Sequence, residues 1–167
     1  MPRQDAPANL DRLTQIRILF FANAAWWVLA LPFVFLVSAD TDATALAISA
    51  ALAATTGVGT VGVLLVPAVS ERAPLRVESP EALVRSYFTR YILRIGFVDL
   101  PVTVGVAGWI ITGAPLVYLV GIPFTLLAAA RVAPTRHRIA IDQQEITDKG
   151  SSLALRELLD RPARTAP

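Results

Sequence analysis

The chain has 167 residues, 54% of them hydrophobic and 17% charged, with 15 Lys and Arg against 13 Asp and Glu and no cysteine. That length supports one domain, and the apolar excess points to a membrane rather than to an ordinary soluble fold. The lack of cysteine excludes a disulfide framework, a zinc ribbon, a thiol nucleophile and a lipoprotein attachment site.

In chain order, residues 1–17 are a polar, Arg-bearing lead-in. The first predicted span, about 18–39, is "ILFFANAAWWVLALPFVFLVSA", uncharged between Arg17 and Asp40 and long enough to cross ~30 Å of hydrocarbon. "VSA" resembles a signal-peptide cleavage motif. However, the run is longer than a signal core, Pro32 interrupts it and another apolar span follows, so it reads as a retained span.

The second predicted span, 43–69, holds "GVGTVG", Gly57 to Gly62, with the spacing of a dinucleotide fingerprint and an acid, Glu78, downstream. Such a fingerprint must close a strand and open a helix. Here "ATALAISAALAATT" and "VLLVPAV" continue one apolar helix on either side, which excludes a phosphate loop. The glycines instead extend two stripes of small residues, Ala45, Ser49, Ala53, Gly57 and Ala47, Ala51, Thr55, Gly59, with Gly62 beyond. Such stripes let helices approach closely in lipid, and span two is expected to be the central packing helix, within the bundle or against another subunit.

A loop over 70–91 follows, in which Ser79 and Pro80 signal a helix start. In "EALVRSYFTRY", Leu83, Tyr87 and Tyr91 share a stripe that runs into span three; Arg85 and Arg90 in it, and Arg94 just after it, are expected to face anionic headgroups at about 1 kcal/mol each. The third span, 92–112, contains Asp99, the one charge inside the apolar regions, about 7 to 8 Å deeper than Arg94 at the rise of a helix. An intramembrane carboxylate marks an ion path or a fixed polar partner. Asn23 has a comparable depth in span one, and Thr103 lies four residues on, so Asn23, Asp99 and Thr103 form the candidate polar site, with a structural role favoured. Pro101 nearby is a kink signal. "TGAP" then turns the chain into the fourth span, 115–131, whose length depends on whether Arg131 snorkels.

The tail, 132–167, carries "HRIAIDQQEITD", a turn at Gly150 and the amphipathic "LALRELL", with Ser152 as its expected cap. The connecting and tail pieces are expected to be too short to bury a core of their own. Leu155, Leu158 and Leu159 would therefore need cover from the membrane, the 71–94 region or a partner.

Every Arg and Lys falls before span one, between spans two and three or after span four, whereas the outer "DTD" and "TGAP" have none. The positive-inside rule then gives an all-α polytopic protein with four transmembrane helices as two hairpins and both termini cytoplasmic. Trp109 and Tyr118 are expected in the outer aromatic belt, Tyr87 and Tyr91 in the inner one, and Trp26 and Trp27 packed inside the bundle. Arg-rich usage suggests the inner membrane of a GC-rich bacterium.

No chemistry emerges beside these features. His137 has no second His or Cys with which to bind metal, and Lys149 with Ser151 and Ser152 lies in a polar tail where a hydrolytic dyad would lack burial. No enzyme activity, cofactor or metal is expected, and topology already accounts for the positive charge without nucleic acid. The expected function is a small accessory or assembly subunit of a larger membrane complex such as a transporter, binding another protein or itself. The alternative is a self-assembling channel or carrier using Asp99.

Overall fold

The computed structural model describes residues 11–37 and 43–161, apart from the side chains of Pro67, Val69, Ser70 and Glu71. It is all-helical: α1 (Arg12–Val37), α2 (Ala45–Arg72), α3 (Pro80–Thr112), α4 (Pro115–Val132), α5 (Arg136–Asp148) and α6 (Leu155–Leu159). The first four are long and apolar enough to cross a membrane.

Local signals set the boundaries. Asp11 accepts the Thr14 N–H at the start of α1, and Ser79 accepts the Ala82 N–H one residue before Pro80, as its sequence position leads one to expect. Gly113 ends α3 with φ 64°, a left-handed cap that returns its N–H to the Trp109 carbonyl and that a Cβ would disfavour. Pro115 then opens α4 in the first helical turn, where a missing N–H costs nothing. α3 continues through Pro101, and its 33 residues extend about 50 Å. That is some 20 Å more than a ~30 Å hydrocarbon layer would take up, and the Arg-bearing N-terminal turns, roughly Pro80–Ile92, are the part that would project from it.

Helices α2, α3 and α4 pack together as the body of the bundle, and its closest backbone approaches are between α3 and α4. A Cβ on Gly121 would fall 2.7 Å from the Pro101 carbonyl oxygen and 3.0 Å from Val102 Cα, while one on Gly105 would fall 3.1 Å from the Val117 carbonyl oxygen. The approach at Gly121 is too close for any Cβ without a backbone shift, and that at Gly105 is tight enough that a Cβ would push its neighbour by a few tenths of an ångström. α2 covers this pair with one of its two small-residue stripes: Ala51 lies beside Gly108, Gly59 beneath the Phe124 side chain, and Gly62 against Phe97 and Pro101. Helix α1 seats on the pair through other residues, with Val34, Trp27, Ala30 and Leu31 packing around Val102, Trp109 and Tyr118. Its remaining face, including Phe21, Trp26, Leu29, Phe33 and Leu36, is exposed.

The expected aromatic positions change accordingly. Trp109, Tyr118, Tyr87 and Tyr91 are all buried between helices rather than exposed on the outer face of the bundle, and Trp26 faces outward. Two of the hydroxyls bond to helix α1: Tyr118 donates to the Trp27 carbonyl and Tyr91 to the Ile16 carbonyl.

The pieces outside the spans do bury a core. Leu13 and Ile16 of α1, Leu75, Leu83, Val84, Tyr87 and Tyr91 of the connection and α3, Ile139 and Ile146 of α5, and Leu155, Leu158 and Leu159 of α6 form one cluster. None of these segments is long enough alone, but the projecting turns of α3 supply a wall against which the others fold. Ser152 is not the cap of α6, which begins three residues later. Instead the Gln143 carboxamide on α5 accepts the Leu155 N–H at 2.7 Å and donates to the Leu153 carbonyl at 3.0 Å, securing the intervening extended segment.

Candidate functional site

Asp99 lies on the face of α3 turned toward α1. Asn23 and Trp27 are one helical turn apart on α1, so both reach the same side. The Asn23 amide Nδ2 donates to Asp99 Oδ1 at 2.8 Å, and the Trp27 indole Nε1 donates to the same oxygen at 3.1 Å. Thr103, the other expected partner, is exposed and is not part of the cluster. Trp27 is the partner that sequence reasoning missed, although its spacing of four from Asn23 was available as a signal. Trp27 is also tied by its carbonyl to Tyr118, so one α1 residue links α3 and α4.

Beside this cluster is a slot of about 20 Å³ between α1, α3 and α4, lined by Asn23, Trp27, Val98, Ile122, Thr125 and Ala129 among others. That volume holds about one water. The Thr125 hydroxyl is buried there without a hydrogen-bond partner among the described residues. The carboxylate is thus held by neutral donors, with no cation partner among the described residues and no wide polar path beside it.

A second polar centre lies at the projecting end of α3. Arg90 and Arg94 were expected to face headgroups, but their side chains are 0% and 1% exposed. They occupy the same helical stripe as Leu83 and Tyr87, which turns them inward onto α5. Arg94 makes a two-pronged contact with Asp142, Nη1 to Oδ2 at 3.0 Å and Nη2 to Oδ1 at 2.9 Å. Arg90 does the same to Glu145, Nη1 to Oε2 at 2.6 Å and Nη2 to Oε1 at 2.9 Å. It also donates from Nη1 to Asp142 at 3.2 Å and from Nε to the Ala73 carbonyl at 2.7 Å. Lys149 completes the group, its Nζ 2.9 Å from both Glu145 and the Leu75 carbonyl. Partial burial alone would raise the Glu145 carboxyl, but hydrogen bonds and charge from Arg90 and Lys149 outweigh it and hold the pKa at about 2. Arg85 alone of the three expected headgroup contacts points outward.

Of the expected packing residues, Gly59 and Gly62 face the bundle, whereas Ser49, Ala53 and Gly57 are exposed and a Cβ on Gly57 would meet nothing within 4 Å. The most constrained glycines, Gly105 and Gly121, lie on α3 and α4. Arg131 does not simply reach toward water: its Nη1 donates to the Val63 carbonyl at 2.9 Å. Proline 67, four residues after Val63, has no N–H to offer that carbonyl, so the guanidinium fills a vacancy in the α2 ladder. Among the described residues no group of three His, Cys, Asp or Glu could hold a metal ion.

Comparison with protein-family models, with curated proteins and with solved structures finds no match to this chain.

Proposed function

We propose that the protein is a small non-enzymatic integral membrane subunit that associates with a larger membrane assembly such as a transporter. In this reading the four spans form two hairpins in a bacterial inner membrane, with the Arg-rich end, both termini and the α5–α6 unit in the cytoplasm. The observation that carries it is the engagement of Asp99. Its Oδ1 accepts from Asn23 and Trp27, and the adjoining slot admits about one water, as suits a carboxylate that seats α1 rather than one that passes ions. The outward apolar face of α1 and the open small-residue stripe Ala45, Ser49, Ala53, Gly57 on α2 supply surfaces for another membrane helix.

Purification from native membranes in mild detergent, followed by native mass spectrometry, tests this. A stoichiometric foreign chain is the expected result. A homo-oligomer without a partner, whose proton or ion flux disappears in Asp99→Asn, would replace the accessory role with transport.

A further inference from the structure

The inward turn of Arg90 and Arg94 leaves other cations for the bilayer. Arg72 at the end of α2, Arg76 in the connection and Arg85 on the projecting part of α3 line one concavity of about 450 Å³, with Ser86, Thr89 and Leu93 among its other walls. Among the described residues no carboxylate forms an ion pair with any of the three. The floor is fixed, because the Arg76 N–H donates to Ser86 Oγ at 3.0 Å, and Ser86 Oγ donates in turn to the Leu83 carbonyl at 3.0 Å. This basic cleft does not end in water on all sides. Arg72 and Leu93 also line an adjoining cleft of about 110 Å³ with Leu65, Ala68 and Phe97, which lies between α2 and α3 and is apolar. Arg85 and Leu93 are eight residues apart on one helix, about 12 Å along its axis, and Arg72 stands where the basic and apolar clefts meet, as suits a headgroup joined to its acyl chains.

We propose that this combined cleft between α2 and α3 binds one anionic glycerophospholipid, its phosphate among Arg72, Arg76 and Arg85 and an acyl chain along Leu65, Leu93 and Phe97. Arg guanidinium groups recognise phosphate through paired N–H donors, and the apolar extension selects a lipid over a soluble phosphate. The site rests on the membrane-spanning reading with this end at headgroup level, and not on the accessory role, which the co-purification experiment tests separately.

The test is native mass spectrometry of the full chain, delipidated in detergent and titrated with phosphatidylglycerol, phosphatidylcholine or glycerol 3-phosphate. Arg76→Gln/Arg85→Gln is compared with the charge-matched Arg17→Gln/Arg136→Gln, which alters exposed arginines elsewhere at the same end. Each basic residue near a headgroup surface contributes about a fivefold factor, so the site variant is expected to bind its first phosphatidylglycerol about 30-fold more weakly. The control variant should stay within about fivefold of the parent. Equal weakening by the two variants, equal binding of phosphatidylcholine, or displacement of the lipid by equimolar glycerol 3-phosphate would each overturn the proposal.

Discussion

Replacing Asp142 with Asn should release the α5–α6 unit from the end of the bundle. The substitution keeps the shape and removes one of two carboxylates facing Arg90 and Arg94, whose side chains are 0% and 1% exposed. Glu145 then remains as the sole acid among these partners, and it is already engaged by Arg90 and Lys149. Removing one member of a buried pair costs about 3–5 kcal/mol, equivalent to roughly a hundredfold to a few thousandfold in the docked-to-undocked ratio. α5 has only 13 residues and is marginal as a free helix, so undocking should melt it. Hydrogen–deuterium exchange in detergent would report this as amide exchange in α5 and α6 that is faster by about two to three and a half orders of magnitude, while the spans are unchanged. Trypsin should cut at Lys149 and Arg156 in step. The companion variant Arg90→Met, Arg94→Met, Asp142→Leu, Glu145→Gln replaces the buried charges with apolar volume, leaves no carboxylate stripped of its guanidinium, and should return protection to within about tenfold of the parent. Exchange in Asp142→Asn within about fivefold of the parent would refute the claim that this cluster holds the tail.

Glu145 gives the same joint a pH dependence. Its folded pKa, about 2, lies below the ordinary 4.5, so its contribution is complete above about pH 4.5 and is lost as pH falls through about 2; α5 exchange, corrected for intrinsic rates, should rise over that window and not between pH 6 and 8. Gly121→Ala places a methyl 2.7 Å from the Pro101 carbonyl oxygen, and the α3–α4 contact should lose about 1–3 kcal/mol, read as a lower thermal midpoint in detergent. Gly59→Leu drives into the Phe124 side chain and should also lower that midpoint, whereas Gly57→Leu meets nothing within 4 Å and should leave it unchanged. A change in assembly size in Gly57→Leu alone would locate a helix–helix contact between subunits on that stripe.

The spans were legible because charge is costly in hydrocarbon, and the uncharged stretches of this chain coincide with α1, α2, the deeper part of α3 and α4. The partnership of Asn23 with Asp99 was legible from matched depth, since two polar groups at one level of a bundle find each other more cheaply than either finds water. Depth does not give rotation about a helix axis, and for that reason Thr103 was misplaced and Trp27 overlooked. The same ambiguity divided the α2 stripes: composition favours both, and only the position of α3 and α4 decides that Gly59 faces inward and Gly57 outward. Arg90 and Arg94 illustrate a different limit. A cation beside a span reads alike whether its partner is a lipid phosphate or a carboxylate far along the chain. Yet their register with Leu83 and Tyr87, and the register of Asp142 with Ile139 and Ile146 on α5, pointed to the interior.

The order of synthesis gives the Arg90–Arg94–Asp142 cluster a second significance. Asp142 follows Arg94 by 48 residues, which at about 5–20 residues per second is an interval of roughly 2 to 10 s on the ribosome. Throughout that interval both arginines lack the carboxylate that the finished fold gives them, and in the proposed topology they would flank an entering helix, where positive charge biases which side is retained. When α5 emerges and docks, the same charges are neutralised and become part of a packed interior. In the proposed topology the pair would therefore steer the nascent chain first and fasten the finished one afterwards, and a chain truncated before α5 would keep the steering charge while lacking the fastening.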